Sequence, residues 1–303
     1  MWESMTADEY AAVEKDGGDD LRKIDGVWWR RIRPWFYRPL LPWRLLSPEQ
    51  VPHRGGCFQY AAKPGEVSNS YFNLMIYENS RDYTMENLSK HTRHNLRAAL
   101  KNEVAIRRIT DAGEFLNKAY PLYLDFVDRT GYAFRSDRVR RHGFEAWTRS
   151  LFANPGVMVT GAYEGEEPVA VYVSLLVEDV LVLKTAINSK RGLELRTPEL
   201  EMHFYREKAA AHSGIRFIYD AFFIPQMGIN TFKIRRGACV TALPAQVRGL
   251  TGLFALIRRF HPSLYRKLHG WSEEELEKVV GKLACRLEKS GNAVMFPGEN
   301  KGI

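Results

Sequence analysis

A chain of 303 residues that is 45% hydrophobic has room for two ordinary domains or one enlarged one, and enough apolar side chains for a real core, so it reads as globular. The formal net charge of +8 and a pI near 9.3 favour anionic partners such as phosphates, CoA, RNA or acidic lipid, and charge alone does not choose among them. Cys57, Cys239 and Cys285 form no CxxC pair, no apolar run approaches the roughly 20 residues that span a bilayer, and the polar start MWESMTADEY is unlike a signal peptide, so a reducing, cytoplasmic setting without structural zinc is expected.

Residues 1–25 are polar and weakly patterned, and Gly17-Gly18-Asp19-Asp20 reads as a loop or a loose end. The run WWRRIRPWFYRPLLPW (28–43) follows, with four tryptophans, four arginines and three prolines. It reads as a nucleic-acid grip, a membrane foot or part of a core. Its aromatic rings bury roughly 150–250 Å² each, more than a solvated arm carries, and Pro34, Pro39 and Pro42 break any amphipathic helix. A packed, irregular strap is therefore expected, with arginine stems on apolar surface and their heads in water or on a substrate phosphate. CFQYAA (57–62) and YFNLMIY (71–77) then read as strands.

From residue 89 the pattern sharpens. SKHTRHNLRAALKN (89–102) predicts a short basic helix with Leu96, Ala99 and Leu100 on one face, and VAIRRI (104–109) alternates as a strand. Asp111 and Glu114 have capping-box spacing, opening a helix through Phe115, Leu116, Ala119, Leu122, Tyr123, Phe126 and Val127 despite Pro121. Phe144, Trp147 and Leu151 mark a second helix. VMVTGAY (157–163), VAVYVSLLV (169–177) and VLVLKTAI (180–187) predict an antiparallel meander. Thr197 and Pro198 give an N-cap and N1 pair for a helix stopped by Gly214. The buried strand IRFIYDAFF (215–223), a helical segment around NTFKIRR (230–236) and CVTAL (239–243) follow.

That succession of strand, two helices, three antiparallel strands, helix, strand, helix and strand resembles the GNAT acyltransferase superfamily. EGEEPVAVYVSLLVEDVLVLKTAI is similar to its central hairpin. IRFIYDAFF…GINTFKIRRG resembles the end of the Fem-type branch, the peptidyl and aminoacyl transferases, where an aspartate closes a buried strand and a Phe-Lys pair precedes a glycine. SKHTRHNLRAALKN resembles the basic segment that begins the same module. The resemblance spans roughly residues 85–245. It implies an α/β (α+β) fold with a GNAT-like mixed, mainly antiparallel central sheet flanked by helices. Fem-type relatives usually carry two such lobes in tandem, so a truncated or remodelled N-terminal lobe with the aromatic strap is expected over 1–84, the acyltransferase domain over 85–247, and a helical extension over 248–303.

The chemistry such a fold offers is attack by an amine on an activated acyl carbonyl. It needs aligned substrates, a proton acceptor, and positive charge or N–H donors near the oxyanion. No covalent nucleophile is required, which agrees with the lack of GxSxG and of any motif-borne cysteine. The resemblance makes Lys233, in Phe232-Lys233-x-x-x-Gly237, a group for phosphate or acyl-ester recognition and transition-state charge; otherwise it is a solvated lysine beside Arg235 and Arg236. Asp220 is costly inside FIYDAFF unless paired, and reads either as the base or orienting group, or as a structural partner; Tyr219 should face the other way.

The helix at Thr197-Pro198 stands where ordinary GNAT enzymes bind the CoA pyrophosphate. Lys190, Arg191, Gly192 and Arg196 suit an anion there, whereas Glu194, Glu199 and Glu201 oppose one and suit a capped helix. Arg93 and Arg97, four apart, read as phosphate ligands or a solvated basic face, and Arg236 joins the phosphate-binding candidates. His91 and His94 have HxxH spacing without a third ligand, so no metal is assigned.

Residues 247–270 mix Leu and Phe with Arg248, Arg258, Arg259, Arg266 and Lys267, the composition of a peripheral membrane or RNA-facing segment. Ser272 then caps a helix with an apolar face of Leu276, Val279, Val280, Leu283 and Leu287, and the tail GNAVMFPGENKGI reads as loose. The leading expectation is an N-acyltransferase that uses an acyl-CoA or carrier thioester and an amine of a sugar, amino acid or peptide. The alternatives are an aminoacyl-tRNA-dependent transferase, and a non-catalytic GNAT-like protein that binds RNA or membrane.

Overall fold

The computed structural model describes residues 2–78, 80–223, 227–249 and 251–280. The chain begins with β1 (Ser4–Met5), α1 (Ala7–Asp16), β2 (Leu21–Ile24), β3 (Val27–Arg33), β4 (Phe36–Pro39), β5 (Leu45–Leu46), β6 (Cys57–Ala62) and β7 (Ser70–Tyr77). Next come α2 (Lys90–Leu100), β8 (Ala105–Arg108), α3 (Ala112–Thr130), α4 (Arg141–Phe152), β9 (Val157–Glu164), β10 (Glu167–Val177) and β11 (Val180–Asn188). They are followed by α5 (Lys190–Glu194), α6 (Thr197–Ala210), β12 (Phe217–Phe222), α7 (Met227–Arg235), β13 (Cys239–Arg248), α8 (Thr251–Phe260), α9 (Pro262–His269) and a helix over 273–280.

These strands share one mixed, mainly antiparallel sheet, ordered β2-β3-β4-β6-β13-β7-β12-β11-β10-β9-β8, with β1 on β10 and β5 on β6. The expected meander is β9, β10 and β11. Its strands read as near-continuous apolar runs because both faces are covered. On one face, Tyr10 of α1, Phe115 of α3 and Phe144 and Trp147 of α4 pack over Val171, Val173 and Val182. On the other, Met202, Tyr205 and Ala209 of α6 pack over Tyr172, Leu181 and Ile218. β13 runs antiparallel between β6 and β7, so a late strand completes the sheet begun by the early ones. Among the described residues no helix is long and apolar enough to cross a membrane.

Residues 2–25 are regular, with Gly17–Asp20 forming the expected loop: Thr6 and Glu9 form a reciprocal capping box for α1, whose Tyr10, Ala11, Val13 and Glu14 are buried. Their weak pattern has a physical cause, since one position of the buried face is a carboxylate held by cations rather than an apolar residue. The run 28–43 is packed but not irregular. β3 and β4 are an antiparallel hairpin turned at Pro34-Trp35, and Pro39 comes last in β4, so the prolines delimit strands instead of breaking them. Asp111 caps α3 by accepting from the Glu114 N–H at 2.5 Å, but the Glu114 carboxylate takes the Tyr163 hydroxyl at 2.8 Å instead of returning to the cap.

Over 247–270 the amphipathic segment is two helices, α8 and α9, with Phe254 and Ile257 inward and Leu256 and Phe260 exposed. The last helix is capped reciprocally by Ser272 and Glu275, and packs Leu276, Val279 and Val280 on the α6 side of the sheet. Leu283, Cys285, Leu287 and the tail lie outside the described residues. Asn73 of β7 anchors this end of the chain, accepting from the Trp271 N–H at 2.7 Å and donating to the Trp271 carbonyl at 2.9 Å.

Trp29 is fully buried, edge-on to Phe58 with ring centroids 5.0 Å apart. Trp29→Ala is expected to cost about 3–5 kcal/mol in urea-unfolding free energy. A change within about 0.5 kcal/mol, typical of exposed positions, would return the run to a solvated arm.

Candidate active site

β12 pairs with β11 in parallel only through Phe217–Tyr219 opposite Val180–Val182, after which the two strands part. Both carry an irregularity at the parting. Against β10, Val173 pairs with Thr185 and Ser174 with Leu183, leaving Lys184 as the extra residue of β11. Against β7, Tyr219 pairs with Ile76 and Ala221 with Met75, leaving Asp220 as the extra residue of β12. Bulges of this kind bend a strand and re-aim a side chain.

On the α6 face, Lys233 of α7 donates from Nζ to Asp220 Oδ1 at 2.7 Å, and the two side chains are 18% and 12% exposed. The structure thus joins the two residues singled out as catalytic candidates. Tyr219 faces away and packs on Trp43, with centroids 4.9 Å apart. Beside the pair lies Glu201 of α6, buried and without a side-chain hydrogen bond among the described residues. Burial, then the Asp220 charge, raise its pKa well above the ordinary carboxyl value against the opposing pull of Lys233 and Arg236. The same two causes raise the pKa of the fully buried Tyr77. An ion pair, a carboxyl with a raised pKa and a phenol therefore meet at the bulge.

Of the other candidates, Arg236 borders this cluster, near enough for its charge to act on Glu201 and Tyr77, and the rest are placed apart from it. Arg236 is buried against Glu199, donates from Nη1 to the Phe232 carbonyl at 2.6 Å and stacks on the Phe232 ring. Arg191 holds Glu164 with two nitrogens, and Arg196 donates to Asn95 Oδ1 at 2.6 Å. Arg93 reaches the Glu86 carbonyl at 3.0 Å, and Arg97 is exposed on α2. Thr197 is not the N-cap of α6. That position falls to Arg196 in a left-handed conformation (φ 59°), and the Thr197 hydroxyl turns inward to Asn188 Oδ1 at 2.7 Å. With Glu199 buried in its first turn, the α6 dipole is already matched by an acid. Among the described residues no three His, Cys, Asp or Glu side chains group as metal ligands.

Sequence reading missed the opposite face of the parting. There Glu14 of α1 lies between Arg30, at 2.5 Å, and Lys184, with Asp19 completing the network 2.9 Å from Arg30. The available signal was a lysine inside VLVLKTAI, as anomalous as the aspartate inside FIYDAFF. Glu201 left a fainter trace, four residues before the buried Tyr205 on the same helix face.

No family model matches the sequence, and no curated protein matches it. Solved structures do match. FemX superposes with a TM-score of 0.56 at 10% identity, over 82% of this chain and 93% of that one. L-PGS from Bacillus licheniformis gives 0.52 at 11% identity, over 87% and 97%. A conserved protein of unknown function from Bacteroides thetaiotaomicron gives 0.52 at 10%, over 78% and 87%. The chain thus shares the fold of FemX and L-PGS, as the Fem-type resemblance implied: an α/β architecture with a mainly antiparallel sheet flanked by helices.

Burial raises the Glu14 pKa, and the Lys184 and Arg30 charges more than offset it, leaving it lowered from 4.5 to about 2. A depressed carboxyl contributes stability above its unfolded pKa and loses it as pH falls through the folded one. On the order of 3 kcal/mol should therefore disappear between about pH 4.5 and 2, and Glu14→Gln should remove that slope while being less stable at pH 7. Urea unfolding against pH measures both; the same slope in the variant would show that Glu14 does not carry it.

Proposed function

We propose that this protein is an N-acyltransferase in which the Asp220–Lys233 pair is the reactive centre. The carrying observation is that pair, 2.7 Å apart on a strand bulge where β11 and β12 part, beside Glu201, whose pKa burial raises. An acceptor amine, of a sugar, amino acid or peptide, hydrogen-bonds to Asp220, which orients it and takes a proton as its nitrogen attacks the acyl carbonyl. Lys233 supplies the charge that offsets the growing oxyanion. The carbon–sulfur or carbon–oxygen bond to the donor then breaks. The leaving group takes a proton, for which the Glu201 carboxyl is a ready donor. No cysteine or serine ester forms.

The donor in this reading is an acyl-CoA or carrier thioester. A specific observation favours a second one, an aminoacyl-tRNA: α6 opens with the buried Glu199 and turns its threonine inward, which opposes a pyrophosphate at that N-terminus. The excess positive charge suits either anionic donor.

The test offers the purified protein acyl-CoAs and charged tRNAs with a panel of amines, with products read by mass spectrometry. Lys233→Met or Asp220→Asn should lower kcat/KM by at least about 10²-fold, as losing a transition-state charge or a proton acceptor does. Each single change breaks a largely buried pair and should also cost stability, whereas the double variant should recover much of the stability and none of the activity. Full turnover by the double variant would remove the pair from the mechanism. No product with any donor would favour a binding protein on this fold.

A further inference from the structure

A cavity of about 230 Å³ opens where the end of β12 and the start of β7 face β4 and α9. Arg33, Arg38, Arg266 and Lys267 line it together with Phe222 and Trp271, and among the described residues no aspartate or glutamate does. Arg38 is the deep member, 9% exposed. Its Nε donates to Gln59 Oε1 at 2.8 Å and its Nη2 to the carbonyls of Lys267, at 2.8 Å, and Leu268, at 3.1 Å. Among the described residues its Nη1 makes no hydrogen bond and no carboxylate pairs with it. The guanidinium lies 4.7 Å from the Phe222 ring centroid.

The buried Arg236 has Glu199 as its partner, whereas Arg38, like the buried Arg138 that lies over Trp147, has no carboxylate among the described residues, and burial holds its pKa down at about 10. Capping the last carbonyls of α9 accounts for Nη2. It accounts neither for Nη1 nor for the exposed Arg33 and Lys267 at the same mouth, which have no ion pair among the described residues. Arg266 is neutralised by Glu275, so the uncompensated charge belongs to Arg33, Arg38 and Lys267. The neighbouring His269 is held at about 4, first by burial and then by the charges of Arg266 and Arg258.

We propose that this cavity binds a phosphate ester, with the phosphate on Arg38 Nη1 between Arg33 and Lys267 and the organic stem against Phe222 and Trp271. With Nε and Nη2 already bonded, the N–H groups of Nη1 remain to meet phosphate oxygens in charge-assisted hydrogen bonds. The volume falls below the roughly 300–1,000 Å³ of sites that take drug-sized molecules, and fits a phosphate with a short stem. The ester is either a soluble metabolite or the headgroup of a lipid whose chains lie outside, near the exposed Leu256 and Phe260 of α8. Binding here is independent of the acyl-transfer reading, because it is measured without turnover.

Titration calorimetry of the full chain with sn-glycerol 3-phosphate, and co-sedimentation with vesicles of phosphatidic acid in phosphatidylcholine, test the two sources. Saturable binding in either arm is expected to weaken by about tenfold or more in Arg38→Met. Should that variant fail to fold, Arg33→Gln/Lys267→Gln alters only exposed rim side chains and should weaken binding several-fold, while Arg107→Gln, a surface cation on β8 at the far edge of the sheet, should not. Binding in the calorimeter assigns a soluble ester, and binding to vesicles alone assigns a headgroup. No binding in either arm, or equal binding by wild type and both site variants, would overturn the proposal.

Discussion

β12 holds the two halves of the sheet together, through three parallel residue pairs to β11 and an interrupted antiparallel ladder to β7. The rest of the molecule depends on that strand's short reach. If β12 followed β11 along its whole length there would be no parting, and Asp220 would lie within a regular ladder. The bulge bends the strand away from β11, directs a carboxylate toward α7, and carries the chain on to Phe222 at the edge of the arginine cavity.

Charge is buried on both faces of that parting, and each cluster closes a different gap. Glu14, Arg30 and Lys184 join α1, β3 and β11, so the amino-terminal helix is held against the bulge of the meander. Glu199 and Arg236 join α6 to the end of α7, whose neighbour Lys233 reaches Asp220. Desolvating such groups costs several kcal/mol each before pairing recovers it, so these pairs are weak arguments for stability. What they supply is position. Without Glu199 and Arg236, α7 would have less to fix the depth of Lys233 over β12.

Legibility in the sequence differed by element for identifiable reasons. α3 and α4 could be read because their side chains obey one period and one solvent boundary, and the meander, β6 and β7 because each is a short, nearly unbroken apolar or aromatic run. The first 25 residues resisted because α1 buries Glu14, and a buried acid looks exposed until its partners are known. The run 28–43 was readable as buried from its aromatic area, but not as a hairpin, since prolines at a strand end and a turn look like breakers in one dimension. Asp220 and Lys233 were found through one anomaly, a carboxylate inside an apolar strand, together with the family-like Phe-Lys pair. Lys184 carries the same anomaly and finds its partner at residue 14, across the whole meander.

By itself the sequence determined the succession of elements, the apolar faces, and the presence of charges that need partners, because these follow from local periodicity and from the desolvation cost of ionised groups. Which charges meet was decided only by the tertiary structure. Lys233 with Asp220, Glu14 with Lys184 and the burial that raises the Glu201 pKa all depend on where two strands part and which helix covers the gap. So does Arg38, whose lack of a carboxylate becomes visible only once β4, β12 and α9 enclose it.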